Sequence, residues 1–327
     1  MKLTINDLRA LTHGAVSVRD TADGYTAFYR FNERQMGYYQ STNENFYAQS
    51  LCTAAIRLEM TTDADAITFA YRAKKASSQR LFYFDLSVDG TMLAHIGEDN
   101  TEEKEGSVAL PLPAGTHRVV LYLPASFSVS LRDVVVKNAT FATPITKQLK
   151  MLSMGDSITH GYHAVYPSLS YVNLIADALD ASVVNQGIGA EVFNPGVVDG
   201  DLGFTPDVVT VAYGTNNWYK STRQDFVRDA GEFYARVRKA FPTAKIFGML
   251  PIWRSDCDRI VTEVTFAEAR EIVRAAATAT KNITVIDCYP FVPHLPDFFS
   301  DKSVHPNDLG FQCYAAGLLK ALQKHLI

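Results

Sequence analysis

Apolar residues keep one period up to Thr143-Pro144 and another beyond it, and that change restricts the chain to a two-part architecture. From about residue 14 to 143 they alternate in short runs, such as Tyr25–Phe31, Ile67–Tyr71, Leu81–Val88, Val108–Leu112, Val119–Leu123 and Val129–Val136. Alternation of this kind marks half-buried strands. Val88-Asp89-Gly90-Thr91 reads as a tight hairpin turn, because glycine takes a positive φ at no steric cost, and Pro113-Ala114-Gly115 marks another turn. No amphipathic helix is expected in this half. Residues 1–143 are therefore expected to form an all-β sandwich of jelly-roll type. Its aromatic residues (Tyr38, Tyr39, Phe46, Tyr47, Phe82, Tyr83, Phe84) should face the sandwich core at alternate positions, although a carbohydrate-binding platform could also be built from them.

Beyond the boundary, near Ala142 to Lys147, strand-like runs alternate with helical ones. Strands are expected at Leu149–Met154, Val183–Asn185, Val208–Tyr213, Ile246–Leu250 and Ile283–Asp287, and helices at Ser170–Leu179, Asp225–Phe241, Phe266–Ala279 and Leu309–Leu326. In the second of these helices, Phe226, Phe233, Val237 and Phe241 share one face. This alternation predicts an α/β domain over 144–327, with a parallel sheet covered on both faces.

Composition narrows the functional classes. With 47% hydrophobic and 20% charged residues among 327, the chain can build sizeable cores. A net charge of -4 and the lack of any lysine or arginine run argue against nucleic acid or an anionic membrane as partner. No apolar stretch approaches the ~18–20 residues of a membrane span, and the opening MKLTINDLRALTHG lacks the apolar region of a signal peptide. Cys52, Cys257, Cys288 and Cys313 are scattered, without the paired spacing of a zinc site or disulfide scaffold, and read as thiols of a cytoplasmic protein.

In open α/β sheets, ligands bind beyond the carboxyl ends of the strands. The residues at those ends are Gly155-Asp156-Ser157, Gly187-Ile188-Gly189-Ala190, Gly214-Thr215-Asn216-Asn217, Pro251-Ile252-Trp253-Arg254 and the stretch from Asp287 to His305. Together they hold a hydroxyl nucleophile, glycine-rich backbone, a side-chain amide and a histidine, the components of acyl transfer. Alone, Ser157 would read as a helix N-cap and His305-Pro306 as loop. Paired, they supply the nucleophile and the base it needs.

The blocks GDS (155–157), NQGIGA (185–190), GTNN (214–217) and DKSVHPN (301–307) resemble, in this order, those of the SGNH or GDSL hydrolase superfamily, whose domains are flavodoxin-like. The resemblance covers about residues 149–327, and the two-part chain is similar to carbohydrate esterases in which a jelly roll precedes an SGNH domain. It implies Ser157 as nucleophile, His305 as base and Asp301 as the residue that orients the ring. It implies an oxyanion hole made by the N–H of Ser157, a backbone N–H of Gly189 or Ala190, and the amide of Asn216. It implies no cofactor and no metal. Two departures from the family pattern stand out. The aspartate lies four residues before the histidine, with Lys302 in the usual position. Ala190 replaces the glycine of the second block, a change the donor tolerates if φ there is negative.

Three further residues on the catalytic edge are candidate substrate contacts. Trp218 and Trp253 offer flat faces on which sugars stack, although aromatic residues at loop bases often simply pack. Arg254 either touches substrate or pairs with Asp256 or Asp258. His160 and His163 lack the carboxylate or thiol that would complete a metal set, and read as ordinary histidines. The expected activity is a serine esterase that removes short acyl groups, acetyl above all, from a small-molecule or oligosaccharide ester. The other readings are a lipid or thioester acylhydrolase and a non-catalytic sugar-binding protein.

Overall fold

The computed structural model describes residues 1–326. Helix α1 (Ile5–Leu11) and strands β1 (Thr12–His13), β2 (Ser17–Asp20) and β3 (Thr26–Tyr29) come first, then helices α2 (Glu33–Thr42) and α3 (Glu44–Ser50). Next are β4 (Arg57–Thr62), β5 (Ala66–Lys75), β6 (Phe82–Val88), β7 (Thr91–Glu98), β8 (Glu103–Pro111), β9 (His117–Tyr122), β10 (Phe127–Lys137) and β11 (Ala142–Pro144). Two antiparallel sheets, ordered β1-β4-β9-β6-β7 with β11 beside β4, and β2-β3-β10-β5-β8, share one apolar core. Alternate residues of facing strands, such as Leu58, Phe69, Phe84, Leu121 and Leu131, fill it. Asp89 and Gly90, at φ 49° and 80°, turn β6 into β7 as the sequence leads one to expect.

The second half runs β12 (Leu149–Gly155), α4 (Ser157–His160), α5 (Tyr171–Ala178), β13 (Ala181–Gly187), β14 (Val208–Ala212), α6 (Asn217–Lys220), α7 (Arg223–Ala240), β15 (Lys245–Leu250), α8 (Phe266–Ala279), β16 (Ile283–Asp287) and α9 (Asp308–Leu326). Its five strands are all parallel, in the order β13-β12-β14-β15-β16. Alternate residues serve opposite cores. Met151, Val183, Val208 and Phe247 pack with α5 and α9, and Leu152, Val184, Val209 and Ile246 with α7 and α8. The chain order reverses across β12, so the crevice for a ligand lies between the carboxyl ends of β12 and β14.

The expectation of a helix-free first half is overturned. Asn32 caps α2 by accepting from the N–H of Gln35, whose side chain accepts in return from the N–H of Asn32. Phe31 and Tyr39 are buried in the α7–α8 core, with Met36, Tyr38, Phe46 and Tyr47 packed against it. Of the aromatics expected in the sandwich core, only Phe82 and Phe84 are buried there. The segment from Arg30 to Gln49 leaves the sandwich and lies against the α/β sheet. Arg30 fastens it there. Its buried guanidinium donates to the carbonyls of Cys52 (2.6 Å), Gln49 (2.8 Å), Gly187 (3.2 Å) and Asn185. Burial pulls its pKa down to about 10, so the group stays charged at neutral pH.

A second junction is ionic. Glu59 of β4, fully buried, accepts from Lys147 Nζ (2.7 Å) and Arg118 Nε (2.8 Å) and faces Arg57 Nε at 3.4 Å. Lys147 also reaches Asp180 (2.6 Å), and Arg57 pairs with Asp177 of α5. Burial pushes the Glu59 carboxyl up, and Arg57, Lys147 and Arg118 more than offset that and hold it below its ordinary value.

Candidate active site

Ser157 stands at the end of β12, where Gly155 lets the next turn close. A Cβ on Gly155 would lie 2.1 Å from Thr159 Oγ1 and 2.8 Å from the Ala212 carbonyl. Asp156 caps α4 by accepting from the N–H of Ile158 at 3.0 Å, and burial raises its pKa to about 6. This leaves the cap to Asp156 and the Ser157 hydroxyl free to face His305, with Oγ 2.8 Å from Nε2. His305 Nδ1 is 2.6 Å from Asp301 Oδ2. The other oxygen of Asp301 accepts from the N–H groups of Ser303 (2.9 Å), Val304 (2.7 Å) and His305 (3.1 Å). Burial pushes the Asp301 carboxyl up, but the His305 ring and these three N–H groups outweigh it and hold the pKa well below the carboxylate range. An ionised carboxylate only accepts, so Nδ1 carries the ring proton and Nε2 accepts from the serine. The longer loop still delivers Asp301, because Lys302 takes a left-handed φ of 59° and folds the extra residue outward to Asp297.

Ser157, Gly189, Ala190, Asn216, Asp301 and His305 all line one cleft of about 820 Å³. The block after β13 is tied down at all its backbone groups but one. Gly187 O accepts from Arg30, the N–H of Ile188 donates to Gly155 O, and Glu191 N–H donates to Ile188 O at 3.2 Å. The N–H of Gly189 donates to Gln49 Oε1. The carbonyls of Gly189, Ala190 and Glu191 accept from Gln49 Nε2 (3.3 Å), Lys220 Nζ (2.6 Å) and Asn216 Nδ2 (2.9 Å). Of the two backbone donors left open by the sequence, Gly189 is thus occupied, and the N–H of Ala190 has no partner among the described residues. The condition set for Ala190 is not met: its φ is +67°, a conformation that costs an L residue about 1–2 kcal/mol. Tyr219 OH donates to Asn216 Oδ1 at 2.9 Å, which fixes the amide with Nδ2 toward the Glu191 carbonyl and leaves one Nδ2 hydrogen free.

The three residues proposed for substrate contact lie elsewhere. Trp218 is buried in the α7–α8 core and donates to Val264 O at 2.9 Å. Arg254 is buried under it, 4.7 Å from the ring centroid, and pairs with Asp256 at 2.5 Å. Trp253 stacks on His294 with centroids 5.2 Å apart. None of the three lines the cleft. Tyr219 and Lys220 do, and so do Asn43, Asn45, Phe46 and Gln49 of the N-terminal segment, Lys75 at the end of β5 and residues 76–79 of the β5–β6 connection. Nothing in the spacing of these residues marks them as neighbours of Ser157. His160 is buried, with Nε2 3.0 Å from Ala125 O, whereas His163 sits on the cleft wall with its ring 5.0 Å from that of His305. His163, Asp301 and His305 could offer metal ligands within 4.8 Å, but Asp301 and His305 are committed to each other.

Next to Ala190, Glu191 is buried among hydroxyls and an amide: Tyr39 OH at 2.8 Å, Asn194 Nδ2 at 3.1 Å and Tyr213 OH at 3.5 Å. Burial raises its pKa from 4.5 to about 8. Across that window the folded protein holds a proton that the unfolded chain has released, so stability falls as pH rises. Glu191→Gln should make the fall shallower, leaving the smaller share that Asp156 contributes below pH 6. Urea unfolding at pH 5 and pH 8 measures it, and an equal slope in both proteins would show Glu191 to be ionised throughout.

Residues 153–313 match the model of the GDSL-like Lipase/Acylhydrolase family. This part of the chain is a domain of that family. The salicylyl-acyltransferase SsfX3 from a tetracycline biosynthetic pathway is similar in structure, with TM-score 0.79 and 24% identity over 96% of this chain and 95% of that one. An acetyl xylan esterase (Est2A) from the rumen bacterium Butyrivibrio proteoclasticus has TM-score 0.67 and 14% identity, covering 100% and 98%. A family two carbohydrate esterase from Clostridium thermocellum, in complex with cellohexaose, has TM-score 0.65 and 17% identity, covering 84% and 94%. At these identities the likeness establishes a shared two-part fold. No curated protein sequence matches the chain. Among the described residues, no helix is long and apolar enough to cross a membrane.

Proposed function

We propose that the chain is a serine esterase that removes short acyl groups, acetyl above all, from a carbohydrate ester. The observation that carries this is the hydrogen-bonded line from Ser157 Oγ through His305 to Asp301, at 2.8 and 2.6 Å, beside unpartnered donors on one cleft. Ser157 attacks the ester carbonyl while His305 Nε2 takes its proton. The oxyanion that forms is met by the N–H groups of Ser157 and Ala190 and by Asn216 Nδ2. His305 then protonates the departing alcohol, and water, deprotonated by His305, releases the acyl group from Ser157. Asp301 holds the ring and its positive charge.

The lining supports a short acyl group and a hydroxylated leaving group. Amides and hydroxyls dominate it, and Phe46 is the one apolar side chain larger than alanine apart from two tyrosines. Both carbohydrate esterases described above share the two-part arrangement. In this reading, residues 1–143 form a jelly-roll-like accessory domain and 144–327 the hydrolase. Four free thiols, two of them buried, agree with a cytoplasmic setting.

Hydrolysis of p-nitrophenyl acetate, butyrate and octanoate, with Ser157→Ala as control, tests the proposal. Rates should fall steeply with chain length and vanish in the variant. A preference for octanoate would favour the lipid acylhydrolase. Folded protein that neither turns over esters nor reacts with a fluorophosphonate would favour the sugar-binding reading.

A further inference from the structure

We propose that Gln49, contributed by α3 of the N-terminal segment, is a positioning residue that holds the Ala190 N–H in place as an oxyanion donor; the inference rests on the serine esterase reading. The carbonyl of Gly189 and the N–H of Ala190 belong to the same trans peptide and point in opposite directions. Fixing one therefore aims the other. Gln49 Nε2 donates to that carbonyl at 3.3 Å, while its Oε1 accepts from the N–H of Gly189 itself. Tyr162 OH donates to the same Oε1 at 3.1 Å and holds the amide in this orientation. A Cβ at position 189 would fall 2.7 Å from Gln49 Oε1, so this close approach requires glycine.

The plane needs holding. Glu191 N–H closes a turn onto Ile188 O, with Gly189 and Ala190 at its centre. Ala190 at φ +67° makes this the type II form, which prefers glycine or asparagine at that place. Alanine favours the type I form, reached by rotating the central peptide and with it the Ala190 N–H. Gln49 is buried on the cleft wall and binds the two polar groups of Gly189, so it opposes that rotation. The residue that stabilises the strained turn thus comes from a part of the chain 140 positions earlier.

Gln49→Met keeps length and volume and removes both hydrogen bonds. Gln49→Glu keeps the acceptor for Gly189 N–H and removes the donor to Gly189 O. Each should lower kcat on p-nitrophenyl acetate about 100-fold, the scale of one lost oxyanion donor, with KM changed less than about threefold. Ala190→Gly placed in Gln49→Met should return about tenfold of the loss, because glycine takes the positive φ without strain. A purely structural role would not be rescued at that position. Unchanged kcat in either variant, a loss confined to KM, or no rescue would overturn the assignment. If Gln49→Met does not fold, Gln49→Glu decides by the same kcat and KM criteria. Activity surviving in Ser157→Ala would instead overturn the esterase reading itself.

Discussion

Asp301→Asn should lower kcat by about 10⁴-fold and leave KM nearly unchanged. The substitution preserves the loop, because an amide oxygen can still accept from the N–H groups of Ser303, Val304 and His305. What changes is the other atom. An Nδ2 facing His305 donates where the carboxylate accepted, so the ring moves its proton to Nε2 and can no longer take one from Ser157. The imidazolium formed during attack also loses its counter-charge. Steady-state kinetics on a short-chain ester measure the effect, and unfolding of the variant should match the wild type to within about 1 kcal/mol. A loss of less than about tenfold would mean that the ring is oriented by another group and that Ser157 and His305 work as a dyad.

Replacing Glu59 by alanine should cost about 3–5 kcal/mol of stability, because it removes the buried anion that Arg57, Lys147 and Arg118 share. The side chains of Lys147 and Arg57 are each about 1% exposed, so both charges are desolvated where they meet Glu59. In melting temperature the loss amounts to about 10 °C. The same carboxylate sets an acid limit: its pKa is lowered on folding, so its contribution is present above its unfolded value of 4.5 and is lost as pH falls below it. Thermal unfolding of Glu59→Ala against wild type checks this, and a drop of under about 2 °C would mean that the cations find partners in Asp177 and Asp180 alone.

The legible parts of the molecule are those governed by one local rule. β16 and α8 begin and end where the sequence periodicity places them, since each has one apolar face and clean punctuation. The strand ends that carry Ser157, Asn216 and His305 could be located because parallel sheets present their carboxyl ends together. Helix α2 was hidden by its polarity: only a narrow stripe of aromatic residues faces a core, and that core belongs to the other half of the chain. Its one local sign was Asn32 followed three residues later by Gln35, a capping box. Strand β4 breaks alternation for a related reason. Arg57 and Glu59 are buried charges that pair across the junction, and hydropathy counts them as exposed. Trp218 and Arg254 sit at strand ends but turn into the interior, a choice made by packing rather than by position in the chain. Gln49 and the cleft wall around it depend on contacts between residues more than a hundred positions apart, which no window on the sequence spans.

The Arg30 anchor carries a consequence for biosynthesis. The carbonyl of Asn185 that it grips is made 155 residues after it. At about 5–20 residues per second, the segment bearing Phe31, Tyr39 and Phe46 leaves the ribosome roughly 8–30 s before β13, the first strand of its docking surface, is made. During that interval the sandwich strands can pair, while this loop of aromatic residues waits uncovered. The nascent chain is thus most open to chaperone capture and to misassociation along the stripe whose Phe31 and Tyr39 end up buried in the native protein.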